Sequence, residues 1–113
     1  MESKKKFILL SERNKHEILC YLPENMTMLK MANFFHNFSD VTRLKILMCL
    51  CMCDLCVSDI SALLDINQTT VSHQLQILRS ENLVTYTRQG KIILYTLKNK
   101  SINELMLSAV NNF

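Results

Sequence analysis

Residues 57–78 carry two short apolar patterns separated by three residues, and this arrangement constrains the fold more than any other feature. The apolar side chains recur at helical intervals, first as Ile60, Leu63 and Leu64 and then as Val71, Leu75 and Leu78. The intervening residues end in Asn67, whose side chain can accept hydrogen bonds from the free N–H groups at a helix start. The pattern therefore predicts two helices joined by a tight turn, a helix-turn-helix.

The second of these helices is predicted to present a polar face outward. Its outward positions are uncharged hydrogen-bonding side chains followed by a cation, namely Gln68, Thr69, Thr70, Ser72, His73, Gln76 and Arg79. Such side chains suit base edges and phosphates when a helix lies in the major groove of DNA. Any solvated helix also has a polar face, so this feature alone does not distinguish DNA binding from simple exposure.

The segment that follows favours DNA binding. Residues 86–97 are two β-rich runs around Gly90, the only glycine in the chain, and glycine permits the positive φ that a tight hairpin turn needs. A hairpin directly after a helix-turn-helix is a wing. Arg88 and Lys91 bracket its tip, where cations could reach phosphates or a minor groove. The helix-turn-helix and the wing together predict a DNA-binding protein.

From about Met28 to Phe113 the sequence resembles the ArsR/SmtB family of winged-helix repressors. The likeness rests on motifs in a specific order, FSDVTRL at 38–44 (family pattern LSDxTRL), LCV at 55–57, TVSHQL at 70–75 and the closing YTL at 95–97. The resemblance implies a mainly α fold with a small β-hairpin in the order α-α-α-α-β-β-α. It also implies a homodimer, joined through its first and last helices, that binds double-stranded operator DNA and releases it when an inducer binds.

Length and composition bound the organisation of the chain. A chain of 113 residues fits one small domain, whose modest core dimerisation would help to stabilise. We expect residues 1–24, which contain the sole proline, to form a partly disordered arm and residues 25–113 to form the DNA-binding and dimerisation domain. No apolar run approaches the ~18 residues of a membrane span, and 7–10 is too short for a signal-peptide core, so we expect a cytoplasmic protein.

Three further helices are predicted from apolar spacing. Asp40 is a natural N-cap for a helix whose apolar side carries Leu44 and Leu47, and broad apolar stripes run through 26–38 and 102–113. The stripes of the first and last helices are wide enough to be buried against a second copy of the chain. Packing within the monomer alone is the alternative.

Four cysteines, Cys49, Cys51, Cys53 and Cys56, lie within eight residues and are the candidate sensing chemistry. Thiolates bind soft ions such as zinc, cadmium, lead, copper(I) and arsenite. On a continuous helix Cys49 and Cys53, four residues apart, could share an ion. If instead the helix ends near Cys51 and the chain turns through 54–55, the thiols of Cys51, Cys53 and Cys56 could converge.

The resemblance refines these expectations without deciding between them. Residues 51–56 are similar to the C-x-C-x-x-C pattern of arsenic-responsive members, yet alignment on the helix-turn-helix leaves only Cys56 at a family cysteine, with Ser58 and Ser61 at the other two positions. His16 and Cys20 resemble the N-terminal arm of cadmium- and lead-responsive members, with His16 replacing one cysteine.

This second arrangement implies that Cys20 completes a thiolate site with Cys53 and Cys56 across the dimer. The candidate metal ligands are therefore Cys56, Cys53, Cys51 and Cys20. The family's zinc site on the last helix has no counterpart, because Asn99, Ser101 and Asn112 occupy its positions.

Other functions remain open from the sequence. The cysteines could sense oxidants through the Cys53–Cys56 pair, or could simply pack as small hydrophobic residues in a regulator without an inducer. A thiol-rich metal carrier or a C-x-x-C redox protein is the alternative from another class. Catalysis has no support, because one glycine excludes a glycine-rich phosphate loop and His36 and His73 lie in no nucleophile pattern.

Overall fold

A computed structural model describes residues 7–113, which contain six helices and one two-stranded antiparallel sheet. In chain order the elements are α1 (Glu12–Tyr21), α2 (Asn25–His36), α3 (Val41–Met52), α4 (Val57–Leu64), α5 (Gln68–Ser80), β1 (Val84–Gln89), β2 (Ile92–Leu97) and α6 (Ser101–Val110). Residues 1–6, the basic start of the expected arm, lie outside the described residues. None of the helices in 7–113 is long and apolar enough to cross a bilayer.

The predicted fold class, mainly α with a small hairpin, is confirmed, with one helix more than predicted. The additional helix is α1, which lies in the segment expected to be an arm. Ser11 caps it, its hydroxyl accepting from the Asn14 N–H at 3.1 Å, and Glu12 places a negative charge at the helix start. Pro23 follows the helix and disfavours its continuation. These local signals form a helix although none of the residues in α1, all of them described, is buried.

The chain divides into two compact units after Ala32, inside α2, and the domain boundary expected at residue 24 stays a prediction. The last turn of α2 belongs to the second unit, Asn33–Phe113, and Phe34 in this turn and Phe38 after it pack against the core of that unit. Phe34 and Phe38 also contact each other, with ring centroids 5.2 Å apart. The division between the two units therefore falls where side chains of α2 begin to pack against the core of residues 33–113.

The core of residues 33–113 gathers one face of each helix from α3 to α6 and the start of the hairpin. The buried apolar side chains are Ile46, Leu47, Leu50, Ile60, Val71, Leu75, Leu78, Leu83, Val84, Ile102 and Met106. Asp40 caps α3 as predicted, accepting from the Arg43 N–H at 2.9 Å. A core assembled from the inner faces of these helices leaves their opposite faces available for binding.

The helix-turn-helix forms as predicted between α4 and α5. Asp65 ends α4 in the left-handed conformation, with φ 53° and ψ 49°, which Asp tolerates better than most residues. Asn67 caps α5, its side-chain oxygen accepting from the Thr69 N–H at 2.7 Å. Leu63, expected on the apolar face, is 65% exposed instead. The inner side of α4 follows Val57, Ile60, Ser61 and Leu64.

The hairpin has a two-residue turn at the predicted glycine. Gln89 pairs with Ile92, so Gly90 and Lys91 form the turn, and Gly90 has a φ of 63°. A positive φ at the first turn residue alone is the type II′ pattern, which matches the twist of antiparallel strands. This turn places Lys91 at the tip, next to Arg88 near the end of β1.

Candidate DNA-binding surface and thiol segment

Helix α5 separates an apolar inner face from a polar outer face. Val71, Leu75 and Leu78 are completely buried in the core of residues 33–113. Of the side chains predicted to contact DNA, the exposed ones are Gln68, Thr69, Thr70, His73 and Gln76, whereas Ser72 is half-buried. The hydroxyl and amide groups on this face can both donate and accept hydrogen bonds, which reading of base edges requires.

The first turn of α5 is positioned by its neighbour in the helix-turn-helix. The Gln68 side-chain amide donates to the Ser58 hydroxyl of α4 at 3.4 Å. The Ser61 hydroxyl donates to the carbonyl of Ile66 in the turn, and the Ile66 N–H returns a bond to the carbonyl of Ser61. The turn is therefore held from both sides, and α4 supports the end of α5 that would enter a groove.

The wing carries exposed cations at its tip. Arg88 and Lys91 are both exposed, and the only ion pair among residues 7–113 joins Arg13 to Glu17, so neither wing cation is neutralised by a described carboxylate. Unpaired cations at a hairpin tip can contact phosphates or enter a minor groove. Both predicted wing residues are therefore exposed at or near the hairpin turn.

One contact between α5 and the wing was not foreseen from the sequence. The Arg79 guanidinium lies over the ring of Tyr86 in β1, 4.3 Å from its centroid, and Tyr86 contacts Tyr95 of β2 at 5.8 Å between centroids. A cation held on an aromatic face keeps a defined direction. Tyr86 therefore orients a cation in the last turn of α5, and its only sequence signal was an aromatic residue in a β-rich run.

The thiol segment between α3 and α4 bends at Cys53, where α3 ends, and forms no hydrogen-bonded turn before α4 begins. Cys53 follows α3 with φ −166° and ψ 166°, and Cys56 precedes α4 with φ −90° and ψ 164°. Between them Leu55 pairs with Tyr95 of β2, its N–H donating at 3.1 Å and its carbonyl accepting at 2.8 Å. The turn through 54–55 that convergence of the three thiols would need is therefore absent from this segment.

The backbone between Cys53 and Cys56, which forms a bridge to β2 and no turn, disfavours the close approach that a C-x-x-C disulfide needs. Three extended residue steps span roughly 10 Å between Cα atoms, whereas disulfide-bonded cysteines have Cα atoms about 4.4–6.8 Å apart. Within residues 33–113 no three His, Cys, Asp or Glu side chains are grouped so that they could hold a metal ion. Cys51, Cys53 and Cys56 are thus close in sequence but are not brought together by one chain.

The four thiols of this segment also differ in environment. Cys53 is exposed, whereas Cys49, Cys51 and Cys56 are half-buried. Burial raises the pKa of the Cys49 thiol above its ordinary value, and the neighbouring Cys53 raises it further. Burial also raises the pKa of Cys51. A raised pKa disfavours the thiolate, the form that binds soft ions, so Cys49 and Cys51 are the weaker donors of the set.

In residues 7–32, His16 and Cys20 lie side by side on α1. The Sγ of Cys20 lies 3.6 Å from Nε2 of His16, one helical turn away, and both side chains are exposed. Thiolate and imidazole both bind zinc and related ions. This pair is therefore a two-donor group on the surface of α1.

Comparison with known proteins shows what this sequence is similar to. Residues 40–86 match the arsR family of bacterial regulatory proteins. A transcriptional repressor of Synechocystis sp., described as an SmtB homolog, is 40% identical over 76 residues, which are 67% of this chain and 58% of that protein. The chain thus spans less than two thirds of this relative.

The match to two further proteins spans a larger share of each of them. The cadmium resistance transcriptional regulatory protein CadC of Listeria innocua is 39% identical over 82 residues, 72% of this chain and 69% of that protein. Among solved structures, a homodimeric winged helix-turn-helix DNA-binding domain from Mycobacterium bovis superposes with a TM-score of 0.66 at 25% identity, covering 94% of this chain and 91% of the other.

Proposed function

Because the chain belongs to the ArsR family of bacterial regulatory proteins, we propose that it is a homodimeric repressor of transcription that binds operator DNA. The observation that carries the proposal is the surface formed by α5 and the wing, with exposed hydrogen-bonding side chains beside unpaired cations. In this proposal α5 lies in the major groove and reads base edges, while Arg88 and Lys91 bind the backbone or the minor groove.

The division of labour between helix and wing is open to direct test. Duplexes selected from a random pool by the wild-type protein provide an operator, and anisotropy titrations over a salt series compare it with random duplex. Arg88→Ala and Lys91→Ala should weaken binding to both and reduce the salt slope by about 0.9 each. Gln68→Ala and Thr70→Ala should weaken operator binding by about 1–3 kcal/mol while leaving random duplex nearly unchanged.

Lys98 supplies a matched control for the wing variants. It is an exposed cation at the base of the hairpin, at the opposite end from the turn, and its ammonium donates to the Asn82 side chain at 3.2 Å. Lys98→Ala should therefore change the salt slope less than Lys91→Ala. Equal losses on operator and random duplex for the α5 variants would contradict base reading by α5.

Dimerisation is supported by apolar side chains that this chain leaves uncovered. In α6 Leu107 and Val110 are each about half exposed, and α2 exposes Leu29 and Phe35. Apolar surface of this extent on several helices is typical of an interface between subunits. Sedimentation equilibrium of the full chain should yield twice the mass of the monomer, and a monomer at micromolar concentrations would contradict this part of the proposal.

For the inducer we propose a thiophilic metal or metalloid ion, with cadmium, lead, zinc and arsenite as candidates. The donor set is the one predicted from the sequence, Cys56, Cys53 and Cys20 with Cys51 as the weakest member, contributed by more than one protomer. Support comes from the chemistry of the thiols and from relatives named for cadmium resistance. An ion that binds the DNA-free dimer more tightly weakens DNA binding by the same factor, which is the proposed means of release.

Single substitutions locate the donors. Release of operator by each ion is measured for Cys56→Ser, Cys53→Ser and Cys20→Ser, with direct ion binding followed by competition with a chromophoric chelator. Cys49→Ala serves as the control, because this half-buried thiol has a raised pKa and is outside the donor set. Release that survives all three serine variants would exclude this donor set, and release by none of the ions would leave a regulator without a thiol-bound inducer.

Oxidant sensing and metal transport remain the alternative functions, and one observation bears on them. The segment from Cys53 to Cys56, which forms a bridge to β2 and no turn, disfavours the disulfide that a C-x-x-C redox function needs. Peroxide should therefore release less operator than a thiophilic ion does. A protein that shows no preference for any duplex sequence would favour the metal carrier.

A further inference from the structure

We infer that Arg43 is a positioning residue for the recognition helix, holding α5 against the end of α2 and thereby setting its sequence preference on DNA. This inference rests on the proposed DNA-binding function. The guanidinium donates from Nε to Oε1 of Gln74 on α5 at 2.9 Å and from Nη1 to Oδ1 of Asn37 after α2 at 3.2 Å. One side chain of α3 thus bridges two elements that flank it.

Asn37 is a rigid anchor for this bridge. It is only 3% exposed, and its side-chain nitrogen donates to the carbonyls of Asn33 and Phe34 in the last turn of α2, at 3.3 and 3.4 Å. Those bonds orient the amide so that its oxygen faces Arg43. A buried amide oxygen needs a donor, and among the described residues Arg43 supplies it.

Arg43, at the centre of the bridge, is also held in place. The Arg43 backbone N–H binds the Asp40 cap at 2.9 Å, so the start of α3 holds the residue in place. No described carboxylate lies within 4.0 Å of the guanidinium, which is half-buried among neutral amides. Since no ion pair explains its burial, the directional fork of N–H donors is the property in use, and lysine does not reproduce that fork.

A second bond joins the same two elements. The Asn33 side-chain amide donates to a carboxylate oxygen of Glu81, the residue that ends α5, at 3.1 Å. The last turn of α2 therefore reaches α5 at its end through Glu81 and at its middle through Arg43 and Gln74. The burial of Val71, Leu75 and Leu78 already prevents large rotations of α5. The two polar attachment points further restrict small rotations about its axis.

A rotation of α5 about its axis would change which bases its side chains contact in DNA. Gln74 lies one helical turn after Thr70, beside the buried stripe of Val71 and Leu78. If Gln74 were released, the side chains that precede it would shift relative to the base edges, whereas the wing cations would still find phosphates. The expected consequence is lost preference with retained general affinity.

The test uses the full-length protein with Arg43→Met, Gln74→Met and the double variant, on the selected operator and on random duplex over a salt series. Each single variant should lose about tenfold in operator affinity, comparable to one base-reading contact, with random duplex affinity within about twofold of wild type. The double variant should be no worse than either single variant, because both break one link. Lys45→Met, which removes an exposed cation from the same helix, should leave the preference unchanged.

Two results would overturn the inference while leaving the proposed function intact. Equal losses on operator and random duplex for Arg43→Met, with a salt slope lower by about 0.9, would make Arg43 a phosphate contact. Additive losses in the double variant would show that Arg43 does not act through Gln74. A wild-type protein without any sequence preference would overturn the proposed function, and this inference with it.

A variant that fails to fold must be distinguished from one that only loses the Arg43–Gln74 hydrogen bond. Thermal unfolding by circular dichroism identifies variants that are folded at the assay temperature. Should Arg43→Met fail to fold, Gln74→Met breaks the bridge from α5, where the side chain is only half-buried. Arg43→Lys keeps the charge without the fork and should lose operator preference at an unchanged salt slope; full preference in this variant would contradict the bridging role.

Discussion

Residues 33–113 and residues 7–32 use apolar side chains in opposite ways. In the first region α3, α4, α5 and α6 each bury part of one face, and Leu75 and Leu78 of α5 are completely enclosed. In the second region every residue of α1 is described and none is buried, and Leu19 and Tyr21 are largely exposed. One region encloses a core of its own, whereas the other presents exposed apolar side chains.

The largest expected effect tests the first half of this comparison. Leu75→Ala removes a completely buried side chain from α5 and should lower the free energy of unfolding by about 3–5 kcal/mol. Leu19→Ala is the matched substitution on α1, where the side chain is 61% exposed, and should change the monomer's stability little. Urea unfolding measures both, and comparable losses would contradict the distinction between the regions.

The next effect tests whether exposed apolar side chains are an interface. Leu107 on α6 is 51% exposed, and covering the rest of it in a symmetric dimer should contribute about 2 kcal/mol over two copies. Leu107→Asp should therefore raise the dimer Kd by at least about 30-fold in sedimentation equilibrium. An unchanged Kd would remove Leu107 from the interface. Ser108→Asp, which adds the same charge at a neighbouring exposed polar position of α6, controls for the added charge.

A smaller effect compares two helix caps of the same kind. Asn67 caps α5 through the Thr69 N–H at 2.7 Å, and Ser11 caps α1 through the Asn14 N–H at 3.1 Å. Asn67→Ala should lower the free energy of global unfolding by about 1 kcal/mol, because α5 is part of the core. Ser11→Ala should lower helicity without moving the global transition, and equal shifts would show that α1 folds cooperatively with residues 33–113.

The smallest effect concerns one thiol from each region. Burial raises the pKa of Cys51, so less of it is thiolate at pH 8, whereas Cys20 is exposed on α1. Iodoacetamide should label Cys20 severalfold faster than Cys51, as followed by mass spectrometry of peptides. The difference should narrow as the pH rises above the pKa of Cys51, and it should vanish in urea. A difference that persists in urea would trace to local sequence instead of burial.

The site was predictable to different depths in its two parts. The polar face of α5 and the wing cations follow from periodicities within about a dozen residues, and the predicted DNA-binding side chains lie on those elements, with only Ser72 less exposed than expected. Convergence of Cys51, Cys53 and Cys56 within one chain depended on a turn through 54–55, where Leu55 instead pairs with Tyr95. No local sequence pattern around Leu55 predicts that its backbone pairs with a residue forty positions later in the chain.

Taken by itself, the sequence determined what neighbouring residues encode: the helix-turn-helix, the caps at Asp40 and Asn67, and the glycine turn of the wing. Only the tertiary structure decided that Arg43 reaches Gln74 and that the thiol segment forms a bridge to β2 and no turn. The physical reason is that helix periods, caps and turns depend on side chains within a few positions of one another. Contacts between distant residues depend on how buried faces pack, which local propensity does not specify.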